Sequence, residues 1–454
     1  MIISINPYNN KRIKKYKELT PGKVKSKIEN AHTAFLNWKE TSFEHRAKLM
    51  KKAAEILRNN SEEYAHLMTA EMGKLLRSGK AEAEKCGWVC DYYAENAEKF
   101  LAPEEIKTDM SKSFVTFNPL GVVLAVMPWN FPFWQVFRFA APALMAGNVG
   151  ILKHASNVPG CALAIEDVFL QAGFPKDVFQ TLLIGSRQVD AVIEHPHVKA
   201  VTLTGSTPAG RAVARKSGEM IKKCVLELGG SDPYIILEDA DIEMAAEKCV
   251  ISKLINSGQS CIAAKRFIVV DAVREEFERL LLEKMENQVI GDPFSPDTTI
   301  GPMARTNLRD ELHQQVIQSI NKGAKCLLGG YIPQIEGAFY PATILTNVEE
   351  GMPAYDEELF GPVAAIIPAK DENEAIEIAN DTIFGLGAAV FTSNIEKGKN
   401  IAANLLDAGC CFVNDFVKSD PRLPFGGIKE SGFGRELSHY GIKEFVNIKT
   451  VCVK

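Results

Sequence analysis

The distribution of apolar positions changes along the chain. In the first hundred residues, apolar side chains recur every three to four positions with charges between them, a spacing that predicts amphipathic helices. We expect helices over residues 47–59, 61–75 and 81–101. After about Val115, short apolar runs alternate with segments of helical spacing. The first of these runs are residues 121–127, 149–153, 180–184, 200–204 and 234–237.

Helices are predicted between these runs, over residues 156–172, 187–195 and 209–217. Strands that alternate with helices form βαβ units, and such units build a parallel sheet covered by helices on both faces. A second α/β block begins near Gly229, with strands predicted at 267–270, 339–345, 363–369, 388–392, 411–414 and 446–453. Because 454 residues are too many for one ordinary core, we expect an α/β protein of two or three domains.

The composition of the chain argues against some classes of function. The chain is 46% hydrophobic and 24% charged, as in soluble globular proteins, and its formal net charge of −5 argues against binding nucleic acid. Residues 119–137 carry no charge and are long enough to be a membrane candidate. However, Pro128 and Pro132 would break a helix there, so we expect a buried strand followed by a turn and no membrane span.

The ten cysteines follow no CxxC or zinc-ligand spacing, so we expect no metal site. The first residues do not resemble a signal peptide, and unpatterned free thiols suit a reducing compartment. We therefore expect a cytoplasmic protein.

Two segments carry candidate catalytic groups. Cys261 ends the segment NSGQSC after a helical pattern, where a thiol nucleophile could be activated by a lowered pKa or a nearby base. On the local pattern alone, a buried core thiol is the better interpretation. Glu227 is a single carboxylate in an apolar run that ends in two glycines. It is either a general base whose pKa is raised by burial or a structural acid with an ion-pair partner.

Two further segments follow predicted strands. Asn130, in the segment MPWNFP, lies where parallel sheets bind ligands and has an amide that could donate to an oxyanion. On the local pattern alone, an asparagine in a proline-rich turn is the better interpretation. Gly205 and Ser206 form a turn between a strand and a helix, whose N-terminus attracts phosphate. The GxGxxG fingerprint is absent, so the turn by itself indicates little.

Taken in order, these segments resemble the aldehyde dehydrogenase superfamily: the PWN turn, the GS turn, ELGG and NxGQxC. Later segments match as well, at residues 357–362 (EELFGP), 424–427 (PFGG) and 431–436 (SGFGRE). The resemblance covers nearly the whole chain and reverses the local interpretation of Cys261. Within the superfamily, residues 127–157 and 418–422 look most like bacterial succinate semialdehyde dehydrogenases.

The resemblance implies three domains. A Rossmann-like NAD(P)-binding domain would comprise residues 1–96 and 120–228, and an α/β catalytic domain residues 229–430. Residues 97–119 and 431–454 would form a small β oligomerisation domain, whose hairpin pairs with the C-terminal strand of a partner chain. A homodimer or homotetramer is expected.

The resemblance also implies a mechanism. The Cys261 thiolate would attack the aldehyde carbon, and the Asn130 amide with the Cys261 backbone N–H would hold the oxyanion. After hydride transfer to a nicotinamide, Glu227 would activate water to hydrolyse the thioester. Because acylating members of the superfamily generally lack this base, Glu227 disfavours transfer to coenzyme A. With Cys261 and Asn130, it also disfavours a non-catalytic binding role on the same fold.

Cofactor contacts are implied by position. Lys153 resembles the family lysine at the adenosine ribose, and Glu358 the carboxylate at the nicotinamide ribose, with Phe360 packed beside it. The turn of Gly205 and Ser206 would hold the pyrophosphate, with Trp129 nearby.

One departure concerns Ser156, which occupies the place where many NAD-preferring members carry a glutamate for the ribose 2′-hydroxyl. A carboxylate would repel a 2′-phosphate, whereas a hydroxyl beside Lys153 could bind it. We expect NADP to be accepted and preferred, with NAD as the other cofactor.

Substrate contacts are implied by the same subgroup. Arg138 resembles an arginine that binds the distal carboxylate of succinate semialdehyde; the alternative is a helix arginine paired with a structural acid. Ser419 would add a hydroxyl, and Phe425 belongs to the PFGG segment at the substrate. Ile255 replaces a second arginine found in some relatives, which keeps glutarate semialdehyde and aliphatic aldehydes open as substrates.

Overall fold

The computed structural model describes all 454 residues. Local sequence signals set several helix ends. The Thr20 hydroxyl accepts a hydrogen bond from the Lys23 amide, with Pro21 as the first helical residue. The Asp241 carboxylate caps a second helix in the same way, and Gly173 ends a third in a left-handed conformation (φ 92°).

The helices are α1 (Pro21–Trp38), α2 (Phe43–Asn59), α3 (Ser61–Met72), α4 (Leu76–Phe100), α5 (Trp134–Met145), α6 (Pro159–Ala172), α7 (Val189–Glu194), α8 (Thr207–Glu219), α9 (Ile242–Leu254), α10 (Asp271–Glu286), α11 (Thr306–Asn321), α12 (Pro353–Asp356), α13 (Glu372–Asn380), α14 (Ile395–Asn400) and α15 (Ser438–Ile442).

The strands are β1 (Ile2–Ile5), β2 (Arg12–Tyr16), β3 (Glu104–Glu105), β4 (Lys112–Pro119), β5 (Val122–Met127), β6 (Val149–His154), β7 (Phe179–Thr181), β8 (Val198–Thr204), β9 (Lys223–Glu227), β10 (Asp232–Ile236), β11 (Ala264–Val270), β12 (Lys325–Leu328), β13 (Thr343–Thr346), β14 (Val363–Ala369), β15 (Gly387–Phe391), β16 (Cys410–Val413), β17 (Gly432–Phe433) and β18 (Val446–Val453).

A six-stranded sheet has the order β17-β9-β8-β5-β6-β7, with all pairs parallel except β17 with β9. The register places Thr204 opposite Glu227 and Met127 opposite His154, so β5, β6, β8 and β9 end at one edge. The carboxyl edge of a parallel sheet is where α/β proteins bind ligands.

A seven-stranded sheet has the order β12-β13-β14-β11-β10-β15-β16 and is parallel except for β12. Its adjacent residues Tyr234 and Ile235 belong to two different buried clusters, because successive side chains of a strand face opposite sides. Both faces are therefore covered, and the predicted α/β class with parallel sheets is confirmed.

A small third sheet has the order β18-β4-β3, and β1 with β2 forms a separate hairpin. The long strand β18 pairs with β4 along its whole length and leaves its other edge free. Residues 432–433 add to the six-stranded sheet before the chain reaches β18, so the C-terminal segment contributes to two sheets.

Some predicted elements are wrong in extent. The strand expected at 180–184 is β7, which ends at Thr181, and the strand expected at 339–345 is β13, which begins only at Thr343. The helix expected at 156–172 begins at Pro159, after a turn that contains Ser156. The uncharged segment 119–137 forms β5, a turn and the start of α5. None of the helices combines the length and apolar character needed to span a bilayer.

Candidate active site

The loop that carries Cys261 has an unusual backbone. Asn256, Ser257 and Gly258 are all left-handed, with φ of 54°, 55° and 77°. A Cβ on Gly258 would lie 2.1 Å from the carbonyl oxygen of Gly361, so only glycine permits this approach. The loop from the seven-stranded sheet is thus packed directly against the segment EELFGP.

Lys265 fixes the end of this loop. Its buried ammonium donates to the carbonyl oxygens of Ser260 and Cys261 at 2.8 and 2.7 Å. The same ammonium lies 3.3 Å from a carboxylate oxygen of Glu358. One cation therefore links the nucleophile loop to the predicted cofactor carboxylate.

The Cys261 side chain is half-buried and faces a cavity. Burial raises the pKa of the thiol to about 12, and the charges of Lys265 and Arg138 oppose that rise. The protonated thiol is the stable form in this arrangement, so attack on an aldehyde needs a base or an added positive charge.

Asn130 lies in the turn after β5 and contacts the same loop. Its side-chain amide donates to the carbonyl oxygen of Gln259 at 3.2 Å, and the Asn256 amide donates to the Asn130 carbonyl oxygen at 2.8 Å. A side-chain amide has two N–H donors, so the buried Asn130 keeps one for a ligand. Asn130, the predicted oxyanion donor, is therefore hydrogen-bonded to Gln259, which lies two residues before Cys261 in the loop.

Glu227 ends β9 and is buried, and neither of its carboxylate oxygens has a hydrogen-bond partner. Burial and the nearby Glu436 raise its pKa well above the usual range, against the charges of Arg138 and Arg435. A Cβ on Gly426 would lie 2.6 Å from one of its oxygens, so this glycine leaves room for the carboxyl group. An unbonded carboxyl with a raised pKa has the properties of a general base.

The predicted nicotinamide end is formed by both sheets. The ring of Phe360, predicted at this end, meets the ring of Trp129, predicted near the pyrophosphate, edge-on with centroids 5.8 Å apart. One oxygen of Glu358 accepts from the Gly230 amide at 3.1 Å and faces Lys265, while no hydrogen bond engages the other. The free oxygen can accept from a ribose hydroxyl.

The predicted adenosine and phosphate end lies on the six-stranded sheet. Lys153 is buried at the end of β6, and burial alone lowers its pKa because no acid pairs with it. Ser156 is exposed in the following turn. Ser206 precedes the first residue of α8, and its side chain makes no capping hydrogen bond. The first amides of this 13-residue helix are therefore available to a ligand. The Gly205 amide donates to the Glu227 carbonyl oxygen at 3.0 Å. The unpaired ammonium of Lys153 and the free amides at the start of α8 suit the ribose and phosphate groups of a dinucleotide.

A cavity of about 670 Å³ opens beside Cys261 and is separate from these cofactor residues. Phe131, Trp134 and Leu254 give it apolar walls, and Ser419 and Phe425 line it as predicted from the resemblance. A small aldehyde fits this volume with room to spare, since drug-sized ligands occupy pockets of roughly 300–1,000 Å³.

Arg138 also lines this cavity, but its guanidinium forms a buried ion pair with Glu436 and lies 3.3 Å from the Thr204 hydroxyl. The structure thus has the arrangement that the sequence left open as an alternative, a helix arginine paired with an acid. Glu436 was visible only as the last residue of SGFGRE, and nothing in that motif indicates a buried partner for Arg138.

Sequence reasoning missed two other lysines at the site. Lys265 follows Cys261 by four residues, and Lys85 lies on α4 and lines the cavity. The run of charges on α4 reads as a solvated face, and only the packing of α4 against α5 brings Lys85 to the cavity.

These strand ends, the thiol loop and the buried carboxyl define a member of the aldehyde dehydrogenase family, whose model matches residues 1–451. The chain is therefore an aldehyde-oxidising enzyme, and the resemblance seen in the sequence is confirmed. It is 49% identical to the probable succinate-semialdehyde dehydrogenase (NADP(+)) of Synechocystis sp., over 100% of this chain and 99% of the relative. It is 48% identical to the succinate-semialdehyde dehydrogenase (NADP(+)) of Mycobacterium leprae, with the same coverage.

A solved structure has a closely similar fold. The succinic semialdehyde dehydrogenase of Streptococcus pyogenes, in complex with NADP+ as the cofactor, superposes with a TM-score of 0.98 at 37% identity and covers 100% of both chains. The predicted Rossmann-like and catalytic α/β architecture is confirmed by this match.

Proposed function

We propose that the protein oxidises succinate semialdehyde to succinate with NADP+, and accepts NAD+ less well, through a thioester on Cys261. The observation that carries the proposal is the cavity beside Cys261, whose lining includes five cationic side chains. Three of them are ion-paired, and the other two, Arg77 and Lys85, have no carboxylate partner. An aldehyde with a distal carboxylate suits such a cavity better than an uncharged one. The names of the relatives agree with this substrate.

In the first step the Cys261 sulfur, as thiolate, forms a bond to the aldehyde carbon. The free N–H of Asn130 and the backbone N–H of Cys261 donate to the oxygen, which becomes negatively charged. Loss of one such donor typically lowers the rate about 100- to 1000-fold. The carbon then loses its hydride as the C=O bond re-forms, which leaves the thioester on Cys261. A bound nicotinamide would supply the acceptor for this hydride, and its positive charge would favour the thiolate form of Cys261.

In the second step water hydrolyses the thioester. Glu227, once deprotonated, takes a proton from water as the oxygen attacks the acyl carbon, and the carbon–sulfur bond breaks to restore Cys261. The buried position of Glu227 and the absence of any hydrogen-bond partner keep it available for this transfer.

Lys153, Ser156, Ser206 and Glu358 would hold the cofactor. Lys153 has no acid partner and Ser156 is an exposed hydroxyl near it in the chain, which favours a 2′-phosphate over a bare ribose. The uncapped start of α8 would receive the pyrophosphate.

The substrate is tested by steady-state kinetics with succinate semialdehyde, glutarate semialdehyde and propanal. We expect the highest kcat/KM with succinate semialdehyde and no requirement for coenzyme A, because Glu227 activates water. Equal kcat/KM with propanal would contradict the substrate, and turnover that depends on coenzyme A would contradict hydrolysis.

A further inference from the structure

The peptide bond between Ser260 and Cys261 has one bonded end and one free end. Its carbonyl oxygen, on Ser260, accepts from the Lys265 ammonium at 2.8 Å and from the Ala263 amide at 3.2 Å. Its N–H, on Cys261, donates to no acceptor of the chain. This N–H is the proposed backbone donor to the oxyanion. The group expected to meet the developing charge is therefore free, while a cation holds the other end of the same peptide.

Lys265 lies behind this peptide and outside the cavity. Ser260 and Cys261 line the cavity, whereas Lys265 does not. The peptide is trans, and in a planar trans peptide the C=O and the N–H point in opposite directions. A ligand oxygen held by the N–H would therefore lie on one side of the peptide and the ammonium on the other.

Three oxygens surround the Lys265 ammonium, one for each of its donors. Besides the Ser260 carbonyl, they are the carbonyl oxygen of Cys261 at 2.7 Å and a carboxylate oxygen of Glu358 at 3.3 Å. The side chain is buried, so no donor is left for a ligand. Lys265 thus holds the peptides on both sides of Cys261 without a contact of its own to the substrate.

The position of this charge should strengthen the free donor. A peptide bond has partial double-bond character, so a cation at the carbonyl oxygen draws electrons from the nitrogen and makes its N–H more positive. Water screens the effect little, because the ammonium is buried. The Glu358 carboxylate offsets part of the cost of burying this charge beside the peptide.

We propose that Lys265 is a positioning residue for the oxyanion site: it polarises the Ser260–Cys261 peptide and makes the Cys261 N–H a stronger donor to the oxyanion. This inference rests on the proposed function, because it assumes that a tetrahedral intermediate forms on Cys261. It gives a part in the reaction to a residue that lies outside the motifs of the sequence.

The test compares two reactions of Cys261, both measured without cofactor. With 4-nitrophenyl acetate, the sulfur bonds to the acyl carbon, the carbonyl oxygen becomes negatively charged, and 4-nitrophenolate then leaves as the C=O bond re-forms. With iodoacetamide, the sulfur displaces iodide from a saturated carbon, and no oxyanion forms. Both reactions need the thiolate, whose formation the charge of Lys265 also favours. A change in the thiolate fraction slows both reactions, so their ratio isolates the oxyanion.

Lys265→Met should lower the ratio of the acylation rate to the alkylation rate by about tenfold, which is less than the about 100- to 1000-fold cost of losing a whole oxyanion donor. Lys265→Arg keeps a cation and should recover most of the ratio. Lys265→Gln keeps a donor without its charge and should fall below Lys265→Arg, which tests the proposal even if Lys265→Met fails to fold. Because Cys261 is one of ten cysteines, its modification is followed by mass spectrometry.

Lys253→Met is the matched control. Lys253 is buried in α9, and burial lowers its pKa well below the usual range, with a further contribution from the nearby Lys265. Its amino group has no hydrogen-bond partner, so it holds neither carbonyl of the loop. Its replacement should leave the ratio unchanged. A fall as large as in Lys265→Met would show that loss of any buried lysine at the site has this effect, and would overturn the role of Lys265.

The outcomes separate the two proposals. If Glu227→Gln, mixed with succinate semialdehyde and NADP+, forms no acyl group on Cys261, the proposed mechanism fails and this inference with it. If the acyl group forms but folded Lys265→Met keeps the wild-type ratio, or Lys265→Arg gives no higher ratio than Lys265→Gln, only the role of Lys265 is overturned.

Discussion

At the scale of residues, the proposed chemistry rests on two acids, the Cys261 thiol and the Glu227 carboxyl, and both have raised pKa values. The Cys261 thiol and the Glu227 carboxyl are each protonated more readily than in water because burial penalises their charged forms. In the proposed mechanism each must lose a proton before it acts, so we expect activity to depend on pH through both groups.

The pH dependence of thioester hydrolysis should report the pKa of Glu227. Because only the deprotonated carboxyl accepts a proton from water, the rate of thioester hydrolysis should rise with pH. The midpoint should lie well above about 4.3, the value of an ordinary glutamate, because burial and Glu436 raise this pKa. Where hydrolysis is the rate-limiting step, steady-state kcat measures the rate of hydrolysis. Under that condition, a profile that is flat from about pH 5 to about pH 9 would contradict the assignment.

Cofactor choice should follow the side chain at position 156. Ser156→Glu places a carboxylate near the 2′-phosphate and should shift the ratio of kcat/KM for NADP+ to that for NAD+ by about tenfold or more towards NAD+, as expected for one unfavourable charge contact. Ser156→Ala, which adds no charge, serves as the control and should shift the ratio less. A strong NAD+ preference in the wild type would refute the inference.

Single residues also show what the sequence could and could not predict. Cys261, Glu227 and Asn130 were predicted because they stand in motifs, and the loops place Asn130 against the carbonyl of Gln259. Lys85 and Glu436 were missed because their roles depend on contacts between distant segments. No local pattern on α4 distinguishes a lysine that faces a cavity from one that faces water.

At the scale of elements, the loop 256–261 determines where the thiol lies. Its left-handed residues turn the chain sharply after α9, and Gly258 allows the loop to touch Gly361. A loop docked in this way fixes the backbone that carries Cys261.

Gly258→Ala should therefore impair both folding and activity. The added Cβ meets the Gly361 carbonyl oxygen, and the left-handed backbone adds about 1–2 kcal/mol for a non-glycine residue. We expect a lower Tm and at least about tenfold lower kcat/KM, as a misplaced reacting group costs more than 1.4 kcal/mol. The control is Gly218→Ala in α8, where nothing lies within 4 Å of the new Cβ. Equal behaviour of the two variants would contradict the account.

The elements themselves were predicted unevenly. Strands β5, β6 and β14 are mostly apolar runs and were predicted within a residue of their ends. The helices α1, α10 and α11 and the hairpin β1–β2 were not predicted, because they lie at the surface and their charges dilute the apolar pattern.

At the scale of the whole molecule, the site lies where two sheets meet. The six-stranded sheet supplies Asn130, Glu227 and the predicted phosphate-binding turn, and the seven-stranded sheet supplies the loop of Cys261 and Glu358. Neither sheet carries all of the predicted site residues, so the proposed catalysis needs the two sheets in a fixed arrangement. The motifs identified the residues, but only the assembled fold shows the cavity beside Cys261.

The free edge of β18 predicts an oligomer. This strand has one unpaired edge, and Ile448 is 60% exposed on it, which leaves an apolar strand open to a second chain. We expect wild type to be a dimer or tetramer by light scattering with size exclusion, and Ile448→Asp to shift it towards smaller species. The exposed Lys449→Asp is a control for charge on the same strand. A monomeric wild type would contradict the prediction.

Rapid mixing of Glu227→Gln with succinate semialdehyde and NADP+ tests whether a thioester forms on Cys261 and is hydrolysed with Glu227 as base. We expect a burst of NADPH equal to the number of active sites, a succinyl group on Cys261 detected by mass spectrometry, and later turnover slower than wild type by about 100-fold or more. Wild-type turnover in this variant, or no burst and no acyl group on Cys261, would contradict this mechanism.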